Sequence, residues 1–259
     1  RLLAGALGER LEADYAEIFG RVRPEYGSLL RTAARVVVER LAGTDALYHD
    51  AAHTVQVTLV GQAILKGRLL VEHVTAEDWV HFSVATLVHD IGYLRGICPG
   101  DGEGRYVVNE AGETTVLPRG ASDAALAPYH VDRGKLFVRH RLRHFAQLDP
   151  ERIARAIELT RFPVPLDGDH LETASEAGLV RAADLIGQLA DPNYPSRLNA
   201  LFHELDETGV AARLGYRSPA DLSENYPKFF WTSVEPLVGD AIRHMQGNEE
   251  GKGWLTHLY

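Results

Sequence analysis

The sequence has one cysteine, Cys98, and one methionine in 259 residues. A lone cysteine rules out an intramolecular disulfide and suits a reducing, cytoplasmic setting. Long apolar runs are missing too. The stretches VTLV (57–60) and FSVATLV (82–88) fall far short of the ~20 residues that a membrane-spanning helix needs. Positive charge is in deficit: 27 Lys and Arg against 36 Asp and Glu give a net charge of −9. That argues against non-specific nucleic-acid binding, which depends on a cationic surface. A small phosphate-bearing substrate remains compatible, because a bound metal reverses the local sign. There is no internal repeat and no low-complexity tract. The chain opens at Arg1 without a basic-then-apolar signal segment, and an upstream segment is left open.

The sequence is rich in helical period. With 45% hydrophobic residues it can bury a substantial core. LLRTAARVVVERLAG (29–43) spaces its apolar residues by three and four and stops at Gly43. Asp50 is placed to cap a helix beginning AAHTVQV, and Thr75 with Glu77 and Asp78 marks the start of another over 75–90. Further helices are expected near 121–146, 149–161, 172–190, 196–213 and 219–246. The fold class is therefore all-α. We expect one domain over 1–259, with a core at about 30–190 and a helical C-terminal extension at about 191–259. One segment breaks the pattern. Residues 96–120 carry six glycines and two prolines, and RYVV and TTVL flank NEAGE as a small β-hairpin would. This reads as an insertion, either a lid or wall of a pocket or a surface loop.

Four residues suggest chemistry. On its helix, His53 shares a face with Val57 and Val60 and so points inward. His89 and Asp90 end a buried apolar run, and Asp184 interrupts an apolar helix, GLVRAADLIGQL. A buried carboxylate needs a charge partner. Two imidazoles and two carboxylates suit a divalent ion such as Mn, Fe, Co, Ni or Zn, or less favourably Mg. Such a site can activate water and polarise a phosphoryl oxygen.

The ordered set His53 … His89-Asp90 … Asp184 resembles the HD superfamily of metal-dependent phosphohydrolases, over roughly residues 30–190. The resemblance implies an HD-domain helical bundle. The stretch YHDAAHTVQV (48–57) is further similar to the Tyr-His-Asn-x-x-His motif of class I cyclic-nucleotide phosphodiesterases. In that family the second histidine binds metal and the first protonates the leaving oxygen. Carried over, His53 is a ligand and His49 the general acid, while Asp90 both binds metal and orients the water. An imidazole with pKa near 6.5 is suited to that proton transfer.

The departures matter as well. HDIGYLRG lacks the histidine that follows the HD pair in those phosphodiesterases, and Asp50 stands where they have Asn. Substrate and nuclearity stay open. The expectation is one tightly held ion, with His130 in PYHVDRG either a second-metal ligand or a phosphate contact. Arg133, Lys135 and Arg161 are candidate phosphate contacts. The expected partner is a small phosphoester, monoester or diester and nucleotide-like. Two rivals on the same scaffold are an HD-type diiron oxygenase and a non-catalytic nucleotide sensor. The aromatic stretch 226–245 is either a pocket wall or C-terminal core packing.

Overall fold

Helices carry nearly all the regular structure in the computed structural model, which describes residues 1–258. They run in order as α1 (Leu2–Phe19), α2 (Pro24–Leu41), α3 (Ala51–Arg68), α4 (Ala76–Val88), α5 (His130–Leu142), α6 (Pro150–Leu159), α7 (Glu176–Leu189), α8 (Tyr194–Glu207), α9 (Val210–Leu214), α10 (Pro219–Phe229), α11 (Glu235–Met245) and α12 (Glu249–Leu258). Between α4 and α5 lies a hairpin of β1 (Arg105–Val107) and β2 (Thr114–Val116), antiparallel with Tyr106 opposite Thr115. The fold is all-α with this one small sheet among the described residues.

Local chemistry accounts for most boundaries. The Asp50 carboxylate accepts from the backbone N–H of Ala52 and His53, which starts α3. Thr75 and Asp78 form a reciprocal capping box at the start of α4. Three expected helices differ in detail. In 121–146, Pro128 has no backbone N–H, so Asp123–Tyr129 is a 3-10 helix and the α-helix begins at His130. In 196–213 the helix breaks at Gly209, which adopts φ +69°. In 219–246 the chain stays helical but widens to a π turn over Phe230–Val234. Pro236 follows it, and a proline ring clashes with the carbonyl four residues back, here that of Thr232. Neither α1 nor α12 is among the expected segments.

The site is set up at the centre of the fold. Helix α3 buries 13 of its 18 residues and α4 buries 11 of its 13, so both are surrounded. One hydrophobic cluster joins Val57, Val60 and Ile64 of α3 to Trp79 and Phe82 of α4, Val180 and Ile186 of α7, and Val238 and Met245 of α11. Each fully buried side chain of this size contributes about 1.5–3 kcal/mol relative to exposure. Helices α3 and α7 cross closely at Gly187, where an added Cβ would lie 2.8 Å from the Cα of Val57. Gly187 follows Asp184 by three residues, and Val57 follows His53 by four. The absence of a side chain at Gly187 therefore sets how near Asp184 comes to His53. No helix is long and apolar enough to cross a membrane among the described residues.

Candidate metal centre

The start of α3, the end of α4 and the middle of α7 bring the four candidate ligands together. His53 lies in the first turn of α3. His89 caps the C-terminus of α4, with Asp90 in the turn into a short 3-10 helix, Ile91–Tyr93. Asp184 projects from α7. The Nε2 atoms of His53 and His89 are 3.4 Å apart. Asp184 Oδ1 lies 3.2 and 3.5 Å from them, and Asp90 Oδ2 lies 3.3 and 3.1 Å from them.

These atoms fit a metal ion on three counts. Ligand atoms bound ~2.1 Å from one ion stand roughly 3.0–3.4 Å from each other, depending on whether they meet at right or tetrahedral angles. The His–His and His–Asp spacings, 3.1–3.5 Å, lie within or just above that range. Second, His89 Nδ1 lies 2.9 Å from the Thr86 carbonyl, which can only accept. That nitrogen therefore carries the hydrogen and Nε2 can offer its lone pair to the cluster. Third, Asp90 Oδ2 is buried with no hydrogen bond, as is Nδ1 of His53. A buried polar group left without a partner is costly, and a cation would satisfy Asp90 Oδ2.

The electrostatics agree. Burial alone would lower the pKa of His89, but the charges of Asp90 and Asp184 outweigh it and raise it well above the usual imidazole value. Burial would raise both carboxyls, yet His89 and His53 hold Asp90 and Asp184 well below the usual range. A field that holds a proton this firmly also favours a divalent cation. His53 and His89 are sealed from solvent at 1% and 0% exposure, whereas Asp184 is 20% exposed. The cluster thus opens on one side.

His49 and His130 flank that opening, at 19% and 17% side-chain exposure. The His49 ring packs edge-on against His53 with centroids 5.5 Å apart. Its Nδ1 is held 2.5 Å from Glu204 of α8. Burial alone would lower the His49 pKa, but the Glu204 carboxylate outweighs it, helped by Asp90 and Asp184, and pushes it up to about 9. Tyr93 stacks between the two histidines, 4.6 Å from His49 and 4.5 Å from His130. Gly92 permits this, because an added Cβ there would sit 1.9 Å from the His130 carbonyl oxygen. His130 Nδ1 donates to the Ala127 carbonyl, and Nε2 lies 3.9 Å from Asp90 Oδ1. Asp90 therefore presents one oxygen to the cluster and the other toward His130.

The three candidate phosphate cations are placed otherwise. Arg133 is wholly buried. All five of its N–H groups are engaged, by the carbonyls of Gly92, Leu94 and Val107 and by both oxygens of Asp101. It fastens the glycine-rich insertion to α5 rather than meeting a ligand. Asp101 also accepts from the N–H groups of Cys98 and Val107, so the base of the insertion is pinned and is no free lid. Burial pushes the neighbouring Cys98 thiol up to about 11, so it is not a nucleophile at neutral pH. Lys135 and Arg161 are both engaged by Asp132 and Glu158, whose carboxyl they hold at about 2 against the opposing effect of burial. A cation already matched to two carboxylates has little left for a phosphate. In the stretch 226–245, Phe230, Val234, Val238 and Met245 are core residues.

Sequence reasoning missed Glu204, which fixes His49, and Arg197, which donates to Asp50 and the Tyr48 carbonyl. A signal existed for Glu204: it lies between the apolar residues Phe202 and Leu205 of its helix, near which Leu201 is also buried.

The model of the Npun_R2479-like family matches residues 1–259. The chain belongs to that family. Comparison with curated proteins and with solved structures returns no match.

Proposed function

We propose that this member of the Npun_R2479-like family is a metal-dependent phosphohydrolase of the HD type, acting on a nucleotide-like phosphomonoester or phosphodiester. The observation that supports this most is the convergence of the His53 and His89 Nε2 atoms with one oxygen each of Asp90 and Asp184, every His–His and His–Asp spacing being 3.1–3.5 Å. Those four residues would hold the ion. When bound, a divalent first-row metal supplies Lewis acidity toward a phosphoryl oxygen and lowers the pKa of water.

The rest of the task falls to the chain. A substrate reaches the centre through the opening between Asp184, His49 and His130. His49 faces that opening with a proton held on it at neutral pH by Glu204. With Nδ1 directed at Glu204, Nε2 is the atom that gives a proton to the departing oxygen. As that proton leaves, His49 turns from cation to neutral base and is recharged from solvent. Asp90 Oδ1, turned away from the cluster toward His130, can orient the attacking water. Tyr93, packed between the rings of His49 and His130, keeps them apart and oriented.

A second reading, a diiron oxygenase on the same scaffold, draws on one observation: the lone pair of His130 Nε2 faces the free oxygen of Asp90. The test for both is metal analysis by plasma mass spectrometry on protein purified without chelator, followed by a phosphoester panel in the presence of that metal. We expect one to two equivalents of a transition metal and hydrolysis that vanishes with Asp90→Ala. Full phosphohydrolase activity in Asp90→Ala would sink the proposal. Two irons with a mixed-valent paramagnetic signal and no hydrolysis would favour the oxygenase.

A further inference from the structure

A cleft of about 350 Å³, which shares no lining residue with the metal cluster, lies where the end of α7 meets α8, α10 and α12. Its volume lies in the range of small-molecule sites. Tyr194, Tyr226, Leu198, Pro195 and Pro227 line it, with Asp191. The two tyrosine rings are 5.9 Å apart and inclined at 54°. The walls are thus aromatic and aliphatic, and the prolines stiffen them.

Asp191 is the unusual member. It is 3% exposed. Its Oδ1 accepts from the Asn193 N–H at 2.8 Å, but Oδ2 is buried with no hydrogen bond. The nearest cation, Arg197, is 3.7 Å from Oδ2 through Nη1. Arg197 directs its other terminal nitrogen to Asp50 and the Tyr48 carbonyl, at 3.0 and 2.7 Å. Its guanidinium also lies over the Tyr48 ring, 4.6 Å from the centroid. One guanidinium is thus shared by two carboxylates, and its contact with Asp191 is the longer of the two. A buried carboxylate oxygen without a hydrogen bond favours a nearby cation. The faces of Tyr194 and Tyr226 favour a cation as well.

We propose that this cleft binds a small organic ammonium ion with a body of about one aromatic ring. The ring lies among the tyrosines and prolines, and the ammonium is drawn to Asp191. The site touches none of the candidate metal ligands, so it stands apart from the phosphohydrolase reading. It is nonetheless linked to the centre: a cation at Asp191 frees Arg197 for Asp50, the residue that caps the helix of His53.

The test uses 2-phenylethylammonium as probe and the full chain as purified, with binding read by saturation-transfer NMR and calorimetry. We expect saturable binding of one equivalent with a dissociation constant of about 1 mM or tighter. The uncharged analogue 2-phenylethanol binds at least about tenfold more weakly, as does the probe to Asp191→Asn, where a charge-assisted contact becomes a neutral one. The asparagine keeps an oxygen for the Asn193 N–H, so the variant retains its turn. Ser223→Trp, at an exposed position on the cleft wall, blocks binding without touching the core. Asp184→Asn binds the probe unchanged, whatever becomes of its metal. No saturation in the wild type, or equal affinity for wild type, Asp191→Asn and Ser223→Trp, would overturn the proposal.

Discussion

Two buried polar clusters in this chain behave in opposite ways. Around Arg133 and Asp101, every guanidinium hydrogen meets an acceptor and both carboxylate oxygens accept from backbone N–H groups as well. Around His53, His89, Asp90 and Asp184, four donor atoms face one another, and Asp90 Oδ2 has no hydrogen bond. Most members of both clusters are buried, so burial alone does not distinguish them. Completeness does. A saturated network holds structure, and a convergent, unsaturated one is waiting for a partner. The difference separates the insertion, which the fold fastens down, from the centre, which the fold holds open.

The comparison breaks or stands on substitutions in each cluster. The largest effect should come from Asp184→Ala. We expect bound metal at background and a fall in turnover beyond the roughly 10²-fold that loss of an outer partner costs, measured by plasma mass spectrometry and steady-state kinetics. The variant should keep its helical circular dichroism.

Next in size are His49→Asn and Glu204→Gln. Removing a general acid costs about 10²–10⁴-fold, and here metal content should stay at the wild-type level. The pH dependence carries a sign. The folded pKa of His49 is raised to about 9 from an ordinary 6.5. Its contribution to stability is therefore complete below pH 6.5 and is lost as pH rises through about 9. In metal-free protein, the stability gap between wild type and Glu204→Gln, followed by urea unfolding, should shrink across that window. A gap that grows with pH would refute the assignment.

The Arg133 cluster should answer in stability alone. Arg133→Met leaves Asp101 buried without its cation, at a cost of about 3–5 kcal/mol in thermal or urea unfolding. The folded fraction should still bind metal. His130→Ala is a finer probe. Where two equivalents of metal are found, we expect it to lose one and keep the other. Smallest of all are Lys135→Ala and Arg161→Ala. Both cations are partly exposed and already matched to acids, so stability should shift by no more than about 1 kcal/mol, with turnover within about twofold. A large rise in KM for either would return it to the phosphate site.

Much of this organisation is legible along the chain because it is local. Caps at Asp50 and Thr75, the glycine-rich hairpin and the apolar period of α3, α4 and α7 all rest on interactions within a few residues. His53, His89, Asp90 and Asp184 stand out for the same reason, since each is a polar group placed where its own helix should be apolar. The cations did not yield to such reasoning. Arg133 and Arg161 look alike in sequence, but one is enclosed by an insertion that begins more than thirty residues earlier and the other lies on the surface among acids.

The amino-acid sequence by itself therefore determined most of the helices, several of their caps and the four inward-facing candidate ligands, because these follow from propensity, capping and period; α1, α12 and the buried Glu204 did not come from it. Only the tertiary structure decided which groups meet. The His49–Glu204 contact joins residues 155 apart, and the spacing of Asp184 from His53 depends on two helices crossing where Gly187 has no side chain. Neither is written in any local pattern, because both are products of how the core closes.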